Sequence, residues 1–330
     1  MNKYTRDIFR KRREKVKKLI CAVLALMLAF GLTMFAGCDN TPSATIRGNY
    51  SEVTSAEDWD KVAKALDVNA IFGDMSKEDW KFGISLNGQF GYSQTIGDEK
   101  NSIDASAEYD LSLAAGENGP DVKGAGSFDF AMSASESNTD TSLPDSMQGE
   151  IYNDAQYFYI NSGESDSESD MPAKMKIDYM QLLSMIMGGL PFAASDTTAP
   201  AQGLTGEQLK TMFEQLPFVL EADFSVGTKL RLSLNDEAME SLILQISGQA
   251  DISAVTVEKS VLQIYLQLDE NGAFKKATVN LGVIFEAPVS ADSSEKVQTD
   301  LTGAVSVDTF SGTVTLPTDL DSYVDILGSM

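Results

Sequence analysis

From residue 80 onward the chain keeps returning to a hydrophobic period of two. Phe82, Ile84, Leu86, Phe90 and Tyr92 alternate with polar or small residues, and so do Ile103, Ala105, Ala107, Tyr109, Leu111 and Leu113. Val122, Phe128, Phe130 and Met132 continue the pattern with Gly124 and Gly126 between them. Successive side chains of a strand point to opposite sides, so this alternation buries one face of a sheet and wets the other. Clusters of Gly, Asn, Asp or Pro bound each run, which marks antiparallel strands joined by turns. Glu150–Tyr152 and Gln156–Asn161 flank Asn153-Asp154, a tight hairpin turn. The second half repeats the logic. Leu230, Leu232 and Leu234 alternate; Leu262, Ile264, Leu266 and Leu268 run into the turn Asp269–Gly272; Val279, Leu281, Val283 and Phe285 return. Val297, Thr299, Leu301, Val305 and Val307 follow, and Thr313–Leu316 is expected to close the sheet before Pro317.

A helical period interrupts this pattern in a few places. Ser55 and Asp58 stand at capping-box spacing before Trp59, Val62, Ala63 and Leu66, which share one helix face. Tyr179, Leu182, Leu183 and Ile186 form a second apolar stripe; Leu209, Met212, Phe213 and Leu216 form a third, after Thr205 and Gln208. A Pro-, Ala- and Ser-rich connection, residues 190–203, joins these two into a two-helix insert at about residues 178–217, rich in methionine. Asn235 caps a helix carrying Met239, Leu242, Ile243 and Ile246, and Leu320–Leu327 reads as a last one. Long strands with few helices predict a β-rich α+β fold: one curved antiparallel sheet, half-barrel-like, with helices on its concave face.

The absences exclude whole classes of chemistry. The chain has no histidine and two cysteines, Cys21 and Cys38. Zinc sites of the His/Cys type, Ser-His-Asp triads and Cys-His nucleophiles are therefore ruled out. No phosphate-cradling glycine loop or dinucleotide fingerprint is found. Glu164, Asp166, Glu168 and Asp170 alternate in an acidic loop without the pattern of a calcium-binding EF-hand, so it reads as a solvated turn. No catalytic residue, metal ligand or cofactor site is assigned.

The N-terminus is built differently. Nine basic residues against Asp7 and Glu14 fill the first eighteen positions, and Leu19 to Gly37 carries no charge. A basic stretch, an apolar run and a small-residue site make a secretory signal. At 1.5 Å per residue the run spans roughly 28 Å, so length alone also allows an uncut membrane anchor. Its end, Phe35-Ala36-Gly37-Cys38, resembles the lipobox of bacterial lipoproteins, with Phe35 where that family usually has Leu. The resemblance implies cleavage before Cys38, lipid on that cysteine, and a location on the outer face of the cell membrane. The expected organisation is a signal over residues 1–37, a lipidated tether over 38–53 and one domain over 54–330. Removing nine basic and two acidic residues from totals of 25 and 49 leaves 16 and 47, a net charge of −31. Such a surface repels nucleic acid.

Four segments carry a second resemblance: GEIYNDAQYFYIN (149–161), KMKIDYMQLLSMI (174–186), KLRLSLNDEAMESLI (229–243) and SGTVTLPTDLDSY (311–323). With Cys38, they make the chain similar to the lipoprotein-carrier half-barrels of the LolA and LolB type and to lipid-binding lipoproteins of the LppX and LprG type. In those families helices plug an apolar groove that takes up acyl chains. The resemblance implies a non-catalytic binding protein for an apolar ligand such as lipid, with Tyr179, Leu182, Leu183, Ile186, Met212 and Phe213 as the candidate contacts. Two other readings stand beside it: a structural or interaction lipoprotein with a filled core, and a carboxylate-based hydrolase.

Overall fold

The computed structural model describes residues 45–97, 99–116, 121–133, 146–163, 172–178, 204–289 and 295–326. Cys38, the stripe Tyr179, Leu182, Leu183 and Ile186, and most of the acidic loop lie outside these residues.

The alternating runs form one sheet of thirteen strands. In chain order they are β1 (Ser51–Glu52), β2 (Lys81–Ile96), β3 (Glu99–Ala114), β4 (Asp121–Ser133), β5 (Ser146–Asn153), β6 (Tyr157–Asn161), β7 (Lys174–Asp178), β8 (Phe218–Asp223), β9 (Thr228–Leu234), β10 (Thr256–Leu268), β11 (Phe274–Pro288), β12 (Lys296–Thr309) and β13 (Val324–Asp325). Across the sheet the order is β1-β8-β9-β10-β11-β12-β2-β3-β4-β5-β6-β7-β13. The first and last strands do not meet, so the sheet is curved but unclosed. Two strands of 16 residues lie at its middle. Right-handed twist accumulates along such strands, and sheets of more than about ten strands curl rather than stay flat. Among the described ladders all are antiparallel except β13 on β7.

Register turns the period of two into two distinct faces. Ile84, Leu86, Phe90 and Tyr92 of β2 stand opposite Leu111, Tyr109, Ala105 and Ile103 of β3. Phe130 of β4 continues these rows, as do Leu301 and Val307 of β12 on the other side, while Phe128 and Val305 lie on the row between, with Ala107 and Gly88. Among the described residues this inner, apolar face takes four helices: α1 (Ala56–Ala65), α2 (Val68–Phe72), α3 (Gly206–Phe213) and α4 (Asp236–Ser247). The outer face carries the intervening polar residues.

Three apolar clusters lie on the inner face. Met239 and Ile243 of α4 sit on Phe90, Leu281, Val283, Phe285 and Leu301. Trp80 packs on Ile84, Leu111, Leu113, Val122 and Val307. Trp59 and Val62 of α1 and Leu209 of α3 pack on Leu220, Ala222 and Leu230. Val62 and Val283 are fully buried, and each such side chain contributes about 1.5–3 kcal/mol of transfer free energy.

The local signals act as the physics requires. Ser55 accepts from the Asp58 amide at 3.1 Å, and Asn235 from the Ala238 amide at 2.9 Å. The Thr205–Gln208 capping box is complete, its two bonds 3.2 and 3.0 Å long. Asp154 turns the β5–β6 hairpin by accepting from the amides of Gln156 and Tyr157. Gly124 and Gly126 make room for the Tyr109 ring: a Cβ on Gly124 would fall 2.4 Å from its Cζ and one on Gly126 2.9 Å from its Cδ2. The Tyr109 hydroxyl thereby reaches Asn153, which is buried.

Three expectations need correction. Thr313–Leu316 is not a strand. The closing edge is β13, seated beside β7 with Lys174 paired to Asp319 at 2.5 Å and Tyr323 packed edge-on against Tyr159. Leu320–Leu327 is not a helix over its described part: one short turn, Leu320–Ser322, precedes β13. The stretch expected to belong to a tether is packed on the domain from residue 46. Ile46 and Val53 are buried, and β1 pairs with β8.

Candidate functional site

Among the described residues, the inner face leaves one row between two of its clusters. Gly88, Ala107, Phe128 and Gly149 form a rung across β2–β5. On one side lies the rung Phe90, Ala105, Phe130 and Met147; on the other lie Leu86, Tyr109, Gly126 and Ile151. The α4 cluster ends at Phe90 and Tyr92, and the Trp80 cluster ends at Leu86 and Tyr109. Neither takes in Gly88, Ala107, Phe128, Phe130 or Met147. Phe128 and Phe130 are half-buried and Met147 is 38% exposed. A Cβ on Gly88 would meet only ordinary contacts, 3.6 Å or more away. The result, among the described residues, is an apolar strip in which Ala107 is buried and the Phe128 ring lies over Gly149, where a Cβ would fall 2.6 Å from it, with a hydrophobic cluster at each end.

The expected contacts Met212 and Phe213 are placed away from this strip. Phe213 turns its ring to Trp59, 5.7 Å between centroids, and belongs to the third cluster. Met212 is 51% exposed. Helix α3 therefore braces α1 against β8–β10, and its described residues do not cover β2–β5. The sequence does not mark the strip, because Gly88 and Gly149 look like gaps in an apolar alternation while Ala107 and Phe128 look like ordinary members of it. What signal there is lies in Gly88, Ala107 and Gly149, all inside well-patterned runs.

On the outer face, chain covers both flanks of the sheet. The segment before β1 lies on β8–β10, where Tyr50 stacks edge-on against Tyr265 and under the Arg231 guanidinium. Arg231 donates twice to Glu221, at 2.6 and 2.5 Å. Asp223 accepts from the Asn49 amide, the Ser225 amide and hydroxyl, and Lys229, all within 3.3 Å. The Ser225 bonds foremost hold its carboxyl well below the ordinary carboxylate range, against a smaller opposing effect of burial. Burial, reinforced by Tyr265, pushes the Tyr50 phenol up to about 12. These bonds make a latch for the incoming chain and form no reaction centre. At the other flank, Tyr323 lies on Tyr159.

Among the described residues, no group of three or more His, Cys, Asp or Glu is placed to hold a metal ion. No helix among them is long and apolar enough to cross a membrane, which leaves β-barrel crossing unaddressed.

No protein-family model matches the sequence, and no curated protein matches it. Among solved structures, a β-barrel-like protein of the domain of unknown function DUF1849 from Brucella abortus aligns over 70% of this chain and 99% of its own. The two are 7% identical and the TM-score is 0.16.

Proposed function

We propose that this chain is a lipid-anchored extracytoplasmic protein whose domain binds an apolar ligand, such as an acyl chain, on the inner face of its open sheet, without catalysis. The strip along Gly88, Ala107 and Phe128 is the observation that carries this reading. It is apolar, flanked by half-buried aromatics, and set between two packed clusters. Ligand sites are concave, mostly apolar and pre-formed. An acyl chain entering such a strip gains roughly 0.8 kcal/mol per buried methylene. The anchor rests on the lipobox-like end Phe35-Ala36-Gly37-Cys38. The latch fits it: the seven steps from Cys38 to Thr45 reach no further than about 25 Å. The domain would thus be held with its β1–β8 edge near the lipid surface.

Ala107→Trp tests the binding site. If the strip is an open groove, the indole fills it: binding of a fluorescent fatty acid weakens while the melting temperature holds. If the face is a filled core, the same change overpacks it and costs about 1–3 kcal/mol. A destabilised variant, or a wild type that takes up no fatty acid, would leave the filled-core structural lipoprotein as the better reading.

A further inference from the structure

Among the described residues the outer face, covered at both flanks, is open in the middle, and there it forms a trough of about 520 Å³. Two cross-strand rungs of polar side chains wall it, and Gly88, Ala107, Phe128 and Gly149, the rung whose side chains belong to the apolar strip, lie between them along its floor. Gln89, Ser106, Asp129 and Gln148 make one rung; Asn87, Glu108, Ser127 and Glu150 make the other, with Asn161 at its end. The trough crosses five strands, four spacings of about 4.8 Å, and so is roughly 19 Å long. It suits a linear ligand lying perpendicular to the strands.

The chemistry of the walls narrows the ligand. Among the described residues no lysine or arginine lines the trough, while Glu108, Asp129 and Glu150 do, so an anionic chain is repelled. Four amides and two serine hydroxyls stand among the carboxylates, so donors and acceptors are interspersed. Several of these side chains are held in place by their neighbours. Asn87 donates to Glu108 at 2.9 Å, Gln148 to Asp129 at 2.6 Å, and Asn161 to Glu150 at 3.0 Å. A carboxylate offers about four lone-pair sites, so each can accept more than one hydrogen bond. A cationic peptide would compete with Asn87, Gln148 and Asn161 for the carboxylates their amides already hold, and would leave the serine hydroxyl donors unused. Sugar hydroxyls both donate and accept, and match the whole set.

We propose that this trough binds a neutral, linear glycan of a few sugar rings, on the face opposite the apolar strip. Isothermal titration of the mature chain with cellotetraose, maltotetraose and chitotetraose tests it, alongside spermidine, tetralysine and an oligogalacturonate. At least one neutral oligosaccharide should bind saturably, with little change on adding salt, because no charge pair is formed. Ser127→Trp, an exposed change at the centre of the trough, should weaken that binding at least about tenfold. Fatty-acid uptake and the melting temperature should stay as in wild type. Where the tryptophan lowers the melting temperature, the double variant Asn87→Ala, Gln148→Ala gives the same reading by removing two donors. Binding of no neutral oligosaccharide, salt-sensitive binding of spermidine or tetralysine alone, or glycan binding that both variants leave intact would overturn the proposal.

Discussion

At the scale of single residues, the hardest-working polar group is Asp223. It is 4% exposed and gathers the Asn49 amide, Ser225 and Lys229 around one carboxylate. Its pKa is lowered by folding, so its contribution to stability is complete above the unfolded value of about 3.9 and fades as pH falls through the folded value. Urea melts from pH 7 down to pH 2 should therefore show an acid-side loss of stability that Asp223→Ala lacks. The same variant should lose about 1–3 kcal/mol at neutral pH, because buried donors are left without an acceptor. A variant as stable as wild type at pH 7 would mean that the latch is not held this way. Little of the latch was legible in the sequence. Ile46 and Tyr50 are isolated apolar residues in a polar, turn-rich stretch, and isolated residues have no period. The partners of Asp223 come from positions as distant as Asn49, which only register brings together.

Elements were far more legible, because their signals are local and repeated. The alternating runs became strands with one apolar face, and the three capping signals at Ser55, Thr205 and Asn235 each start a helix. Helix faces were read less well. Leu209, Met212 and Phe213 share a stripe on paper, yet α3 has only eight residues and rests on α1 along one side. At 100° per residue, Phe213 lies about 40° to one side of Leu209 and Met212 about 60° to the other, which is toward solvent. The consequence is measurable. Ile243→Ala in α4, at a site 2% exposed, should cost about 2–5 kcal/mol, whereas Met212→Ala should stay within about 0.5 kcal/mol. Chemical denaturation of the two variants checks this, and equal losses would contradict the packing. The closing edge escaped the sequence for a different reason. Val324–Asp325 is a two-residue parallel pairing, too short to show a period, whereas Thr313–Leu316 alternates well and stays outside the sheet.

At the scale of the whole molecule, an open sheet with one apolar and one polar face must deal with two different solvents. Helices α1, α3 and α4 and the Trp80 cluster cover much of the apolar face, and chain from both termini covers the flanks of the polar one. What remains among the described residues is an apolar strip and a polar trough back to back on β2–β5, beginning at the two longest strands. The fold class was readable from periodicity because a two-faced sheet writes itself into every strand. The strip was not, because it depends on where packed clusters stop. The central claim is that the strip holds a lipid while Cys38 carries another covalently. Native mass spectrometry of the protein extracted from membranes, repeated after denaturation, tests both parts at once. The account predicts a native mass above the denatured mass by one apolar ligand, and a denatured mass above that of residues 38–330 by a covalently attached lipid. A native mass equal to the denatured mass, from protein that also takes up no added fatty acid, would contradict it.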